Sequence, residues 1–444
     1  MQSELMDKMD EATQTTTLEI QKQPILNSLL KVFMLAMVLA NISSSMYGNL
    51  LPLYLKELNA SVAQVGLFFT LSQIAPLALQ ILGGWISDSL GRLRSIAIGS
   101  VAGILSYVGL ILSPTWQWIL LGEGLGAMTR SLVGPSYNAF IAEQSEEHNR
   151  ARVFGVSQTI FMIVVIVGPP LGGWLADTYG FKFMLIIAAI LYTIATIIRI
   201  FMAKKASKGS ESHPVKLSAT SLKKNLGTMV GLMFAGGLIT WLIITDGTRD
   251  IAYAMSFNLM PLYLEDLGGL SIQQIGWLSS IYGIANMIMN IPGGWISDKK
   301  GERIGIVLGY ILLFFALVVF LETNTFWGYG LSWALFGLGD GLLGPGYQSL
   351  ISKAVPEKVR GTAFGLMSTS LGLFSLPAPA IGGQVYERSG PRVPFYITTV
   401  VTILTVIPVW FKFKVTEKEK AHLEKAGLTN GNGNGDSKKP STEY

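Results

Sequence analysis

Apolar residues along this chain gather into twelve runs, at about 29–55, 62–87, 95–113, 116–142, 152–176, 182–203, 232–264, 272–297, 304–321, 326–351, 361–386 and 394–413. Each is near or above the ~20 residues a helix needs to cross the hydrocarbon core of a bilayer, and several are long enough to tilt. The sixth and seventh runs are separated by a polar stretch carrying Lys204, Lys205, Lys208, Lys216, Lys223 and Lys224 among serines and Pro214. The pattern predicts a tail at 1–28, a six-helix bundle at 29–203, a linker at 204–225, a second six-helix bundle at 226–414 and a tail at 415–444. The last of these contains Gly-Asn-Gly-Asn-Gly and has nothing to bury, so it is expected to be disordered.

The runs are not independent. Gly83-Gly84-Trp85-Ile86-Ser87-Asp88 recurs letter for letter as Gly293-Gly294-Trp295-Ile296-Ser297-Asp298, an offset of 210. Weaker echoes, Gly172-Gly173-Trp174-Leu175-Ala176-Asp177 and Gly382-Gly383-Gln384-Val385-Tyr386-Glu387, each follow 89 residues behind. The chain is therefore a duplication whose halves are themselves doubled. Glycines close a short turn after each acid, at Gly91, Gly180, Gly301 and Gly390. Asn-Leu-Leu-Pro-Leu-Tyr-Leu at 49–55 returns as Asn-Leu-Met-Pro-Leu-Tyr-Leu at 258–264, and its prolines are expected to bend the first and seventh spans.

Composition agrees with a membrane solvent: of 444 residues, 50% are hydrophobic and 14% charged. With no cysteine, neither disulfides nor thiolate metal sites are available, and the three histidines all fall in polar segments. No metal or cofactor is expected. The net charge of +5 suggests nucleic acid until positions are read. Arg92, Arg94, Arg150, Arg152, Lys299, Lys300, Arg303, Lys353, Lys358 and Arg360 then crowd the loops on the linker side, which is expected to be cytoplasmic together with both termini. Asp88 and Asp298 then lie on that side and Asp177 and Glu387 on the other, so the inner doubling is inverted. The polar, acid-containing first 24 residues do not read as a cleavable signal peptide.

The fold class expected is an all-α polytopic membrane protein, two pseudo-twofold six-helix bundles with nested inverted three-helix repeats. This arrangement resembles the major facilitator superfamily. So does the loop signature, here Gly84, Asp88, Ser89, Gly91, Arg92 and again Gly294, Asp298, Lys299, Gly301, Glu302. Gly168-Pro169-Pro170-Leu171-Gly172-Gly173 is similar to a fifth-span signature of that family's proton-driven drug exporters, although Val164 stands where a glycine is usual. Leu120 stands where the family's fourth-span arginine is usual. The resemblance implies a secondary transporter of small molecules, working by alternating access in the cell membrane as a monomer, most specifically by proton-coupled export of an amphipathic or cationic compound. Uptake of a sugar, organic acid or other nutrient is the alternative; a non-transporting receptor is a remote one. No nucleophile–base pair or nucleotide loop suggests an enzyme.

Charge inside apolar runs marks candidate chemistry. At the offset of 210, Arg130 in the fourth span matches Asp340 in the tenth, and the two are expected to face each other, as cavity groups or as a structural pair. In the seventh span, Asp246, Arg249 and Asp250 are spaced to share a helix face. There Arg249 is expected to neutralise one acid, leaving Asp250 to carry a proton, unless the cluster is simply solvated. Glu123 lies about seven residues, ~10 Å, from the outer end of its span, as a vestibule acid or a hydrated carboxylate. The order of preference for a proton carrier is Asp340, Asp250, Glu123. The offset also pairs Arg92 with Glu302 and Glu143 with Lys353, inverting sign at both positions. The expectation is an Arg92–Glu143 and a Glu302–Lys353 pair locking an inner gate, with Asp88 and Asp298 receiving helix N-termini.

Overall fold

The computed structural model describes residues 28–79, 91–145, 149–206, 237–354 and 372–413. Within them the chain crosses back and forth as twelve helical segments. The first, α1, is broken: Ser28–Gly48 continues as Leu51–Glu57. It is followed by α2 (Val62–Leu79), α3 (Arg92–Leu112), α4 (Trp116–Gln144), α5 (Arg150–Tyr179) and α6 (Phe181–Ala206). The second half repeats the order. Its α7 is broken like α1, Gly237–Ser256 passing through a 3-10 turn at Phe257–Leu259 into Met260–Asp266. Then come α8 (Ile272–Lys300), α9 (Glu302–Glu322), α10 (Phe326–Ala354), α11 (Ala378–Ser389) and α12 (Val393–Lys412). The breaks fall where the repeated proline heptads predict them, with Pro52 and Pro261 in the first turn of the short second pieces. Among the described residues, seven helices have the length and hydropathy of a membrane span. The spans that fall short on hydropathy include α4, α7 and α10, and these carry the ionisable residues singled out above.

Local chemistry sets the ends. Ser61 and Gln64 form a capping box at the start of α2, and Ser271 and Gln274 form its duplicate at the start of α8. Gly91, Gly180, Gly301 and Gly390 all have positive φ, between 85° and 115°, at the tight turns that the sequence marks out. The helix α6 runs to Ala206, three residues into the expected linker. The remaining linker and both expected tails lie outside the described residues.

In each half, the first helix packs on the fifth and sixth, and the third on the fourth and sixth, giving two matching bundles. Large apolar side chains such as Phe201, Ile291 and Phe411 point outward at 66%, 83% and 71% exposure, the surface a bilayer would cover. The bundles meet along two seams, α5 on α8 and α2 on α11. Both seams are built from the repeated residues. A Cβ on Gly66 would come within 2.2 Å of the Pro379 carbonyl oxygen, and one on Gly276 within 2.5 Å of the Pro169 oxygen. Likewise Gly173 abuts Ile272 and Gly383 abuts Val62. Each contact of one seam is the other displaced by 210.

The bundles close on the face opposite the linker, here the distal face. Lys56 donates to Glu265 at 2.7 Å and also to Asp266. Glu387, the last acid of the inverted echoes, accepts from the backbone N–H of Ala63 at 2.8 Å in the first turn of α2. Asn49 donates to Ser279 Oγ at 3.1 Å and the Ala380 N–H to Thr70 Oγ1 at 3.0 Å. A cavity in each bundle occupies the half nearer the linker.

Candidate functional site

Among the described residues, three chambers border the central space. In the N-terminal bundle, 460 Å³ is enclosed by α1, α3, α4, α5 and α6, with Asn41, Thr129, Arg130 and Gln158 among its polar lining. In the C-terminal bundle, 620 Å³ is bordered by Asp246, Arg249, Asp250, Asp340, Tyr253 and Tyr347. Between the bundles, toward the distal face, lies an aromatic chamber of 320 Å³ whose walls include Phe69, Phe257, Tyr282, Trp333 and Phe336.

Arg130 and Asp340 do not pair. Arg130 Nη2 instead lies 3.2 Å from Oε2 of Glu123, on the same helix. Long side chains on a helix lean toward its N-terminus, so an arginine two turns downstream can reach back to a carboxylate seven positions earlier. Glu123 is accordingly buried, at 6% exposure, and its other oxygen lies 3.5 Å from the Tyr47 hydroxyl. In this arrangement, closed on the distal face, it is not a hydrated carboxylate. Asp340 accepts a 2.8 Å hydrogen bond from Tyr282. Among the described residues no lysine or arginine stands within ion-pair distance of it. Because Tyr282 also lines the aromatic chamber, one hydroxyl joins that chamber to the acid.

The seventh-span cluster forms, with the two acids exchanged. Arg249 grips Asp250, through Nε at 3.0 Å and Nη2 at 2.6 Å to the same carboxylate oxygen. Asp246 is the more buried, at 4% exposure, and accepts from Tyr347 at 2.6 Å and Tyr310 at 3.4 Å, with Arg249 Nη1 at 3.9 Å. Arg249 Nη1 also donates to the Tyr310 hydroxyl at 2.9 Å. The neutralised acid is thus Asp250, and Asp246 is held by phenols from α9 and α10. Spacing along α7 contains no sign of those tyrosines.

The profile of the Major Facilitator Superfamily matches residues 33–268 and again 247–439. The chain belongs to that superfamily. It is a membrane transporter; the first match runs through the N-terminal bundle to the end of α7, and the second covers the C-terminal bundle from within α7 onward. Over 392 residues it is 24% identical to the multi-drug resistance efflux pump PmrA homolog of Lactococcus lactis, covering 86% of this chain and 94% of that one. Over 382 residues it is 25% identical to the multidrug resistance protein MdtG of Proteus mirabilis, covering 83% and 92%. Among solved structures, a bacterial homologue of the iron transporter ferroportin in an inward-facing state superposes with a TM-score of 0.70 at 15% identity, covering 87% of this chain and 99% of that one. At that identity the likeness concerns fold.

The superfamily's loop signature is only partly within view, since Gly84 and Asp88 lie outside the described residues. Arg92 Nε and Glu143 Oε1 are 2.9 Å apart, the spacing of an ion pair. Both belong to the N-terminal bundle, however, and they pair here while the bundles meet at the distal face. The pair therefore does not bridge the bundles, as a lock between them would have to do. In the second half Glu302 accepts from Ser349 Oγ at 3.0 Å; the side chain of Lys353 lies outside the described residues. Gly294 leaves 3.9 Å between an added Cβ and Pro345, and Asp298 is exposed on the last turn of α8. Glu387, its counterpart on the distal face, carries out the chemistry expected of Asp298: a carboxylate at a helix N-terminus of the other bundle. The fifth-span signature is a packing device. A Cβ on Gly172 would fall 1.9 Å from the Met46 carbonyl oxygen and one on Gly168 would meet Ser45, while Pro169 and Gly173 form the α5–α8 seam.

Two features escaped sequence reasoning. Lys56 was legible only as one basic residue of a distal loop, because its partners lie 209 and 210 residues away. Arg199 is buried in α6 at 2% exposure and borders the N-terminal cavity. The signal was available, a cation within the sixth apolar run, but its place near the run's end looks like ordinary snorkelling to the interface.

Proposed function

We propose that this transporter exports a small amphipathic compound in exchange for protons, with Asp340 as the proton carrier. The observation that carries the reading is the contrast among carboxylates at the C-terminal cavity. Asp250 is held by Arg249, and Asp246 by two tyrosines with Arg249 nearby, whereas Asp340 has one phenol and no cation within ion-pair distance among the described residues. A carboxyl in a low-dielectric cavity without a counter-ion gains from taking a proton. Through Tyr282 it is coupled to the chamber in which an apolar body would lie. Efflux is supported by the names of the relatives and by the partial fifth-span signature. The basic residues of the linker-side loops support a cytoplasmic linker face in the cell membrane, with both termini on that side. The described cavities would then face the cytoplasm. A monomer suffices, since one chain supplies both walls.

Alternating access follows from the seams. Two rigid bundles rocking about the chambers would part α5 from α8 and α2 from α11 distally and close the linker side. The test uses energised inverted vesicles and a panel of lipophilic cations, sugars and organic anions, with wild type and Asp340→Asn. A compound-dependent collapse of the pH gradient that vanishes in Asp340→Asn, but survives in Asp250→Asn, is expected. An undiminished response in Asp340→Asn, or silence across the panel with protein shown to be folded and inserted, overturns the proposal.

A further inference from the structure

The N-terminal cavity contains a cation that proton exchange does not use. Arg199 spends its donors on neutral groups of α3 and α1: Ser100 Oγ at 2.8 Å, the Ala36 carbonyl oxygen at 3.4 Å and Met37 Sδ at 3.0 Å. Its Nε–H is buried with no acceptor, and among the described residues no carboxylate lies within ion-pair distance. The Tyr192 ring lies 5.8 Å from the guanidinium carbon, and the buried Tyr192 hydroxyl sits beside Arg199, Ser100 and Thr129 without a hydrogen bond of good geometry to any of them. Both residues line the same 460 Å³ cavity as Arg130.

The duplication sharpens the contrast. At the offset of 210, Arg199, Tyr192 and Arg130 correspond to Val409, Thr402 and Asp340. Among the described residues, the N-terminal bundle sets Arg130 and Arg199 against one acid of its interior, Glu123, which Arg130 already engages. Among the described residues, the C-terminal cavity has Asp246, Asp250 and Asp340 against one cation, Arg249. Two cavities of opposite formal charge therefore flank one central space. A guanidinium kept in a low-dielectric wall without an anion is costly, and such a wall focuses its field into the adjoining space. Arginine's planar fork matches a carboxylate, sulfonate or phosphonate better than any other side chain does.

We propose that the N-terminal cavity is an anion subsite. Arg199, on the cavity that Arg130 also lines, receives the carboxylate, sulfonate or phosphonate of an amphipathic substrate whose apolar body lies along Tyr107, Tyr137 and Phe161. This names the charge of the exported compound and rests on the export reading. It departs from a simple lipophilic cation: where the substrate also carries a positive group, that end faces the acidic wall across the cleft. The competing explanation is that Arg199 serves only to tie α6 to α1 and α3.

The test is calorimetric binding to the full-length protein in nanodiscs, using 4-phenylbutyrate and its neutral analogue 4-phenylbutyramide. The acid is expected to bind wild type about tenfold more tightly than the amide at low salt, with the margin shrinking as salt rises. Arg199→Met should abolish the margin, weakening the acid far more than the amide, and Arg199→Lys should keep part of it. If Arg199→Met does not yield a monodisperse protein, Arg199→Lys decides: a margin equal to wild type overturns the proposal and a reduced one supports it. Equal binding of acid and amide to wild type also overturns it, as does a margin undiminished in Arg199→Met. Because binding is read without a proton gradient, the two readings fail separately. Equal binding with an intact vesicle response removes only the subsite. A retained margin with an unaltered Asp340→Asn response removes only the proton assignment.

Discussion

Replacing Lys56 by Met should release the distal face. Lys56 is the cation through which the N-terminal bundle holds Glu265 and Asp266 of the other. Its side chain is 40% exposed and each acid 35%, so solvent screens the attraction and the clamp is worth about 1 kcal/mol rather than the sum of two buried bridges. At RT near 0.59 kcal/mol, that is about a fivefold shift in the ratio of distal-closed to distal-open molecules. The chain has no cysteine, so spin labels can be placed at Leu112→Cys and Trp327→Cys, exposed positions at the distal ends of α3 and α10. Electron–electron resonance distances in nanodiscs should show a longer population growing about fivefold in Lys56→Met and little change in Lys56→Arg. The pH dependence has a defined sign. Burial alone would lower the Lys56 value, but hydrogen bonds from the ammonium to Asp266 and Glu265 outweigh it and raise the value above the ordinary lysine range. While Glu265 and Asp266 are ionised, the clamp's contribution is therefore complete below the ordinary lysine pKa and is lost as pH rises through the elevated one. Identical distance distributions in wild type and Lys56→Met, or an equal shift in Lys56→Arg, would refute the reasoning.

Gly66→Val should wedge the α2–α11 seam, because even a Cβ there would meet the Pro379 oxygen at 2.2 Å. The same labels should report a shift toward distal opening with loss of transport. Gly124→Ala, at a position with open space around it, should leave both unchanged. Arg92→Glu should lower the thermal midpoint only slightly, consistent with ~0–1 kcal/mol for an exposed pair, with recovery in Arg92→Glu combined with Glu143→Arg; absence of recovery would mean that the 2.9 Å contact contributes nothing.

Repetition made most of the fold legible. The four turn glycines, the proline-marked breaks of the first and seventh helices and the packing glycines Gly172 and Gly173 each recur in the sequence; the turn glycines share a positive φ, and Gly172 and Gly382 each abut a methionine carbonyl. Charge partners were less legible, because a partner is chosen in three dimensions. The exchange of roles between Asp246 and Asp250 was decided by Tyr310 and Tyr347, which come from other helices. Glu123 and Arg130 were each noticed, but the offset of 210 directed Arg130 toward Asp340, while a seven-residue reach along one helix satisfied it first. Internal symmetry identifies equivalent positions, and equivalent positions need not touch. Lys56 and Arg199 show the remaining limit: a single cation near the end of an apolar run has the same appearance whether it faces lipid headgroups, a partner bundle or a cavity.

The seams between the bundles have a mechanical consequence. Gly66, Gly173, Gly276 and Gly383 place main chain against main chain, so no long side chain threads from one bundle into the other at these points. At these points such faces separate like two smooth plates, with no side chain of the glycine itself to withdraw from the opposite bundle. A joint of interlocked leucines would resist parting until a whole layer repacked. Here the resistance rests with a few polar fasteners at the rim, Lys56 and Glu387 among them, so turnover can be tuned by surface charge without disturbing either bundle's interior.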